Sequence, residues 1–258
     1  MTVLGAIVMA AAIHSGASSQ IVGTEIVAPG PLGPLRGTLL SPAIHHAPVV
    51  LIVPGSGPTD RNGNGPNGLR AATYQLLAEG LASRGIATVR IDKRGMYGSA
   101  SAIPDPDDVT IGDYAADVRS WVKTIRERVG VSCVWVLGHS EGGLVGLVAA
   151  RNAADICGLI LVSTAGRPLG NVLKEQLRSN PENAPILNNA MAVLKSLEGG
   201  QMVSAEKIDP ALMPLFRPRV QRFLISELTL DPIALLADYA RPVLILQGLR
   251  DIQVGPGD

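Results

Sequence analysis

The sequence predicts an α/β fold built on a mostly parallel sheet. Short, continuous apolar runs alternate with helical stretches along the first two thirds of the chain. Such alternation requires crossover connections, which lay helices on the faces of the sheet. Several runs also end in Gly- or Pro-rich turns, the place where α/β proteins build their sites. At 258 residues, with 47% hydrophobic and 17% charged residues, the chain can bury a substantial core and is not a disordered one.

Thr24–Ala28 and Leu35–Leu40 read as an opening hairpin around a Gly/Pro-rich turn. Residues 48–53 form the first buried strand and 72–84 a helix whose expected core face is Tyr74, Leu77, Leu81 and the flanking alanines. A strand over Ala87–Ile91 and a loop over 92–99 follow. Ile111–Val129 gives the strongest helical pattern, with Ile111, Tyr114, Ala115, Val118, Trp121, Val122, Ile125 and Val129 spaced by threes and fours. Thr110 with Asp113 makes a capping box there. Then come a strand at 133–137, a small-residue helix at 142–150 and a strand at 158–163.

From 166 to 238 the alternation stops, with helices expected at 171–178, 187–197 and Pro218–Leu228. It resumes with a strand at 242–247, so 166–238 is read as a helical cap inserted into a core of 20–165 and 239–258. Cys133 and Cys157 fit no metal-ligand spacing. They lie at the starts of two strands, as a disulfide in an exported protein or as two buried free thiols, the simpler reading. Residues 1–19 combine an apolar run with small residues and resemble a secretory signal, which implies a periplasmic or secreted protein. The run has no Lys or Arg before it, and a buried N-terminal segment of a cytoplasmic protein is the alternative. Lys+Arg and Asp+Glu balance at 22 each, which offers no electrostatic reason to bind nucleic acid or an anionic membrane. No apolar run is long enough for stable membrane insertion.

The motif that carries chemistry is Gly138-His139-Ser140-Glu141-Gly142, set between a buried strand and a helix. A turn this sharp strains the serine backbone and presents the hydroxyl at the carboxyl edge of the sheet, with the helix N-terminus behind it. Acyl transfer also needs N–H donors for a developing oxyanion. One falls to Glu141, directly after the serine, and the other to the loop Pro54-Gly-Ser-Gly-Pro-Thr-Asp60, at Ser56 with Gly57 as the alternative. The glycine spacing of that loop matches neither common nucleotide-binding pattern.

In their order, residues 53–64, 92–99, 138–142 and 248–254 resemble bacterial α/β-hydrolase carboxylesterases, in particular those with a Gly-Ser-Gly-Pro-Thr-Asp oxyanion loop. The resemblance implies an α/β-hydrolase fold, a Ser–Asp–His triad, no cofactor or metal, and a helical cap over the site. It places the acid at Asp251 and gives Asp92 and Arg94 a loop-ordering role, as an ion pair or turn network. The resemblance implies a small-molecule carboxylic ester as substrate, and the apolar composition of the cap segment points to uncharged, short to medium acyl groups. A serine peptidase or thioesterase would use the same motifs.

The histidine is the gap. In chain order it should follow Asp251, yet the remaining residues to Asp258 hold none. His14 belongs to the signal-like segment and His139 to the elbow itself. His45 and His46 precede the strand at 48–53, about 20 Å from its catalytic end at ~3.3 Å per residue. The base is therefore expected beyond residue 258, with a final strand and helix of the fold. A non-catalytic binding protein on a hydrolase scaffold, or a histidine lent by a partner chain, would also account for the gap.

Overall fold

A computed structural model describes residues 23–42, 44 and 46–258. The signal-like segment, His14 and His45 lie outside the described residues. Seven strands form one sheet: β1 (Thr24–Ala28), β2 (Leu35–Leu40), β3 (Val49–Val53), β4 (Ala87–Ile91), β5 (Val134–His139), β6 (Ile156–Val162) and β7 (Val243–Leu246). Their spatial order is β1-β2-β4-β3-β5-β6-β7. The β1–β2 and β2–β4 pairs are antiparallel, and every pair from β4 to β7 is parallel.

Helices α1 (Thr73–Ala82), α2 (Ile111–Val129) and α3 (Glu141–Ala150) are the crossovers. Strand β3 shows why its apolar run does not alternate. Val49, Leu51 and Val53 pack into the layer held by α2 and α3, while Val50 and Ile52 pack beneath α1. Thr110 caps α2 as expected, its Oγ1 accepting from Asp113 N–H at 3.1 Å, while the Asp113 carboxylate accepts from the Thr110 hydroxyl at 2.7 Å in place of the reciprocal backbone bond of a capping box.

The face of α1 follows expectation at Tyr74 and the alanines Ala78 and Ala82, which are buried, but not at Leu77, which is 38% exposed. The Tyr74 hydroxyl is tied to groups at the top of β3 and β5, which turns the helix so that its small residues face the sheet. The Cys pair also departs from the simpler reading. Cys133 and Cys157 form a disulfide, with Cα atoms 5.2 Å apart, because β5 and β6 are neighbours.

Between β6 and β7 lie α4 (Leu169–Ser179), α5 (Leu187–Glu198), α6 (Met213–Phe216), α7 (Pro218–Leu228) and α8 (Pro232–Ala237). The first four enclose an apolar cluster of their own around Leu194, Leu197, Phe216 and Leu224. Helix α8, which no periodicity announced, packs Leu235 and Leu236 on the main core instead. Its local signal is an N-cap Asp231 followed by Pro232.

At the far side of the sheet, β7 leaves Leu244, Ile245 and Leu246 exposed at 50%, 60% and 47%. No helix among the described residues is long and apolar enough to cross a membrane.

Candidate active site

Strand β5 ends at His139, and α3 begins at Glu141. Ser140 makes the entire turn between them, at φ 52° and ψ −122°, a conformation that L residues rarely hold. The surroundings over-determine it. Ser140 N–H donates to Val162 O at 2.8 Å, and Ser140 O accepts from Gly143 N–H at 2.9 Å and Thr164 Oγ1 at 3.2 Å. The flanking glycines are required by space. A Cβ on Gly138 would overlap the Gly142 carbonyl, and one on Gly142 would overlap the carbonyls of Val53 and Pro54.

The 54–60 loop lies against this turn, so that a Cβ on Gly55 would stand 3.3 Å from Ser140 Cβ. Ser56, Ser140 and Glu141 line one cavity of about 200 Å³, walled on its other side by α4, Glu227, Leu230 and Pro232. A second, larger cavity of about 580 Å³ shares Glu141 but not Ser140, and is bounded by Tyr97, Tyr114 and α7.

Lys93, which the sequence reading left without a role, ties the two halves together. Its Nζ donates to Gly55 O at 2.7 Å, pairs with Glu141 Oε1 at 3.3 Å and lies 5.1 Å from the centre of the Tyr114 ring. Neither ion is exposed, so removing one partner would strand a buried charge.

Tyr74 was also unforeseen as part of the site. Gly55 N–H donates to its hydroxyl oxygen at 3.2 Å, and that hydroxyl lies 2.9 Å from His139 Nδ1. Burial holds the His139 pKa below the usual value, against the field of Asp251, and Nδ1 shares its hydrogen bond with the tyrosine hydroxyl. His139 is thus engaged away from Ser140. His46 is exposed in the turn before β3, at the opposite end of the sheet from Ser140.

Asp251 follows β7 and stands at the same edge as Ser140. Its Oδ1 accepts from the amides of Gln253 (2.9 Å) and Val254 (3.0 Å), which depresses its pKa. Gln253 and Val254 in turn line the Ser140 cavity. The carboxylate is thereby fixed and ionised.

Asp92 and Arg94 both order loops, though not as a pair with each other. Asp92 accepts from Arg61 N–H and Nε, each at 2.8 Å, and from Gly98 N–H at 3.1 Å. Arg94 makes a two-pronged pair with Asp117, both bonds at 2.6 Å.

Glu227 is a third missed group, and nothing in the sequence singles it out. It projects from α7 into the Ser140 cavity, is 8% exposed and makes no side-chain hydrogen bond among the described residues. Burial, and then the field of Glu141, push its carboxyl up to about 8.

Several known proteins share this architecture. Alpha/beta hydrolase GrgF from Penicillium aligns over 90% of this chain and 82% of its own, with a TM-score of 0.60 at 19% identity. Est1E from Butyrivibrio proteoclasticus aligns over 90% and 81%, with a TM-score of 0.57 at 21% identity. These likenesses establish the α/β-hydrolase fold. In sequence, the chain is 32% identical over 214 residues to Esterase EstD of Thermotoga maritima. That match takes in 82% of this chain and 48% of EstD, so the chain spans about half the length of this relative. Residues 68–256 match the family described as serine aminopeptidase, S33, and with nearly three quarters of its length so matched the chain belongs to that family of α/β-hydrolases.

Proposed function

We propose that the protein is a serine hydrolase that cleaves carboxylic esters of short to medium acyl chains through an acyl-enzyme on Ser140. The observation that carries this reading is the strained Ser140 at a strand-to-helix turn, facing a small cavity together with Ser56. The serine oxygen attacks the ester carbonyl, its proton leaves to a base, and the carbonyl electrons move onto oxygen. The amides of Glu141, at the head of α3, and Ser56 hold that oxyanion; Lys93 keeps the two segments in register. Collapse expels the alcohol, and water later releases the acid. The 54–60 loop, read as the oxyanion loop of a carboxylesterase subgroup, supports the ester assignment, as does the esterase relative. Asp251 is the acid that orients a histidine. Neither His46 nor His139 fills that position, so the proton acceptor is not among the described histidines.

The family description favours a second reading, a serine peptidase, because amides and esters share the tetrahedral intermediate. The cap is assigned to the helical segment carrying α4 to α7, which walls the cavity. Export to an oxidising compartment is the companion inference, supported by the Cys133–Cys157 disulfide.

The test is hydrolysis of 4-nitrophenyl acetate and butyrate, with the matching anilide and thioester probes, in the presence and absence of added imidazole. Ser140→Ala should abolish turnover, and imidazole should raise the rate of the unsubstituted chain by supplying a base. Equal rates for the two proteins, with and without imidazole, would mean that the scaffold serves binding instead.

A further inference from the structure

Aromatic residues are scarce in this chain, with two Phe, two Trp and four Tyr among 258 residues. Three of these eight, Tyr97, Tyr114 and Phe223, line the one cavity of about 580 Å³ beside the Ser140 cavity. They come from the loop after β4, from α2 and from α7, so no local run in the sequence gathers them. Aliphatic side chains are abundant in this chain and would wall a cavity between helices equally well. Rings concentrated there point to what the cavity holds rather than to how the core packs. The two cavities meet at the elbow: Glu141 lines both, and Ser56 lines the smaller while its neighbour Gly57 lines the larger. At about 200 Å³ the Ser140 cavity falls below the roughly 300–1,000 Å³ in which drug-sized ligands are held, and the larger one lies within that range. A substrate with more than a small acyl group therefore has to extend past Glu141.

We propose that the larger cavity is a binding site for an uncharged aromatic ring, carried on one arm of the ester that reacts at Ser140. The Tyr114 and Phe223 rings stand edge to face, with centroids 6.0 Å apart and planes at 69°. A guest ring lying parallel to one is nearly edge-on to the other, so it makes an offset-stacked and a T-shaped contact at once. The thioether of Met96 adds a polarizable wall of the kind that suits a ring. Four ionic side chains line the cavity and cancel in pairs, Lys93 with Glu141 at 3.3 Å and Arg217 with Asp107 at 3.1 Å. A charged guest would find every counter-ion already committed, which selects a neutral one. Tyr97 holds φ at 43°, a left-handed conformation that is costly for a bulky residue. Its hydroxyl is fastened to Pro58 O in the 54–60 loop, yet the residue is 46% exposed. Burial of its own ring thus does little to offset the strain, whereas a guest ring packed on it would cover that surface. That the ring belongs to an ester rests on the Ser140 reading; the ring site itself does not.

The experiment is an NMR titration of the full chain with 2-phenylethanol and with 2-cyclohexylethanol, two alcohols of the same carbon skeleton. The saturated ring carries more apolar surface, so the hydrophobic effect alone would favour it. The phenyl probe should instead bind about fivefold more tightly, with nuclear Overhauser contacts from its ring protons to the methyl groups of Met96 and Val220. Tyr97→Leu and Phe223→Leu should each remove most of that preference while leaving the cyclohexyl probe bound as before. Tyr97 is half-exposed, so its variant keeps the comparison open even if Phe223→Leu disturbs the fold. Equal or reversed preference in the unsubstituted chain, or a preference that survives both substitutions, would overturn the proposal. So would contacts confined to Leu144 and Val172, which line the Ser140 cavity. No turnover is measured, so failure here leaves the Ser140 reading standing, and an inert Ser140 leaves the ring site standing.

Discussion

At the residue scale, the site depends on two positions where no side chain fits. Gly138 abuts the backbone of Gly142 across the elbow, Gly142 abuts the carbonyls of Val53 and Pro54, and each leaves room only for a hydrogen. Gly138→Ala should therefore force the strand end and helix start apart, at about 1–3 kcal/mol of overpacking. Gly112→Ala is the matched control. Its Cβ would meet only Thr110 Oγ1, at 3.6 Å, in the first turn of α2. That substitution should stabilise by roughly 0.5–1 kcal/mol through the lower entropy of the unfolded chain. Denaturant unfolding of both variants gives the comparison; equal effects would show that the elbow tolerates expansion. Ser56, Ser140 and Glu141, each beside a glycine at a strand end, were legible in sequence as neighbours and line one cavity, while Asp251 was pointed to by the family resemblance. The places of Glu227 and Lys93 were not legible, because they are set by residues far away in the chain.

At the scale of elements, α7 is fastened to the core by charge. Arg217 pairs with Asp107 at 3.1 Å, Arg219 with Asp105 at 2.9 Å and Arg222 with Asp108 at 2.5 Å. Arg219 and Arg222 lie in α7 and Arg217 is its N-cap, and the aspartates lie in the loop leading to α2. Single exposed pairs contribute little, but a row of them on one helix acts together. Salt at about 1 M shortens the screening length to roughly 3 Å and should loosen this edge. Amide exchange across α7 should then quicken, while β3 and β5, buried in the sheet, stay protected. Salt-insensitive exchange in α7 would mean that the apolar cluster alone holds it. Ser226 adds one contact of another kind, accepting from Ile111 N–H at 3.0 Å and so satisfying an N-terminal amide of α2. The helices α5 and α7 were readable from their periodicity. The short α6 and α8 were not, because helices of 4 and 6 residues carry too few turns for a period to register.

For the whole molecule, the disulfide is the one covalent tie across the sheet. It closes a loop with a sequence separation of 24, joining the start of β5 to β6 on either side of α3. A loop of that length implies about 3 kcal/mol of stabilisation by restricting the unfolded chain. Thermal unfolding with and without reductant should show that loss, and Cys133→Ala with Cys157→Ala should reproduce it. An unchanged melting temperature would mean that strand pairing alone sets the stability of this region. The sheet is unevenly protected. Its β3 is buried on both faces, while β7 at the edge carries exposed apolar side chains.

The alternation of apolar runs with amphipathic helices determined the α/β class by itself, because a buried parallel strand and a crossover helix each impose a local pattern on the residues that form them. The elbow and its loop were equally local: strained backbone needs glycine at fixed offsets, and that requirement is written in consecutive residues. Only the tertiary structure decided that Cys133 meets Cys157, that Asp92 pairs with Arg61 and not Arg94, that Tyr74 engages His139, and that Glu227 lines the same cavity as Ser140. Each of these joins residues separated along the chain, and no periodicity or spacing encodes a contact that exists only once the strands have been ordered and the helices laid across them.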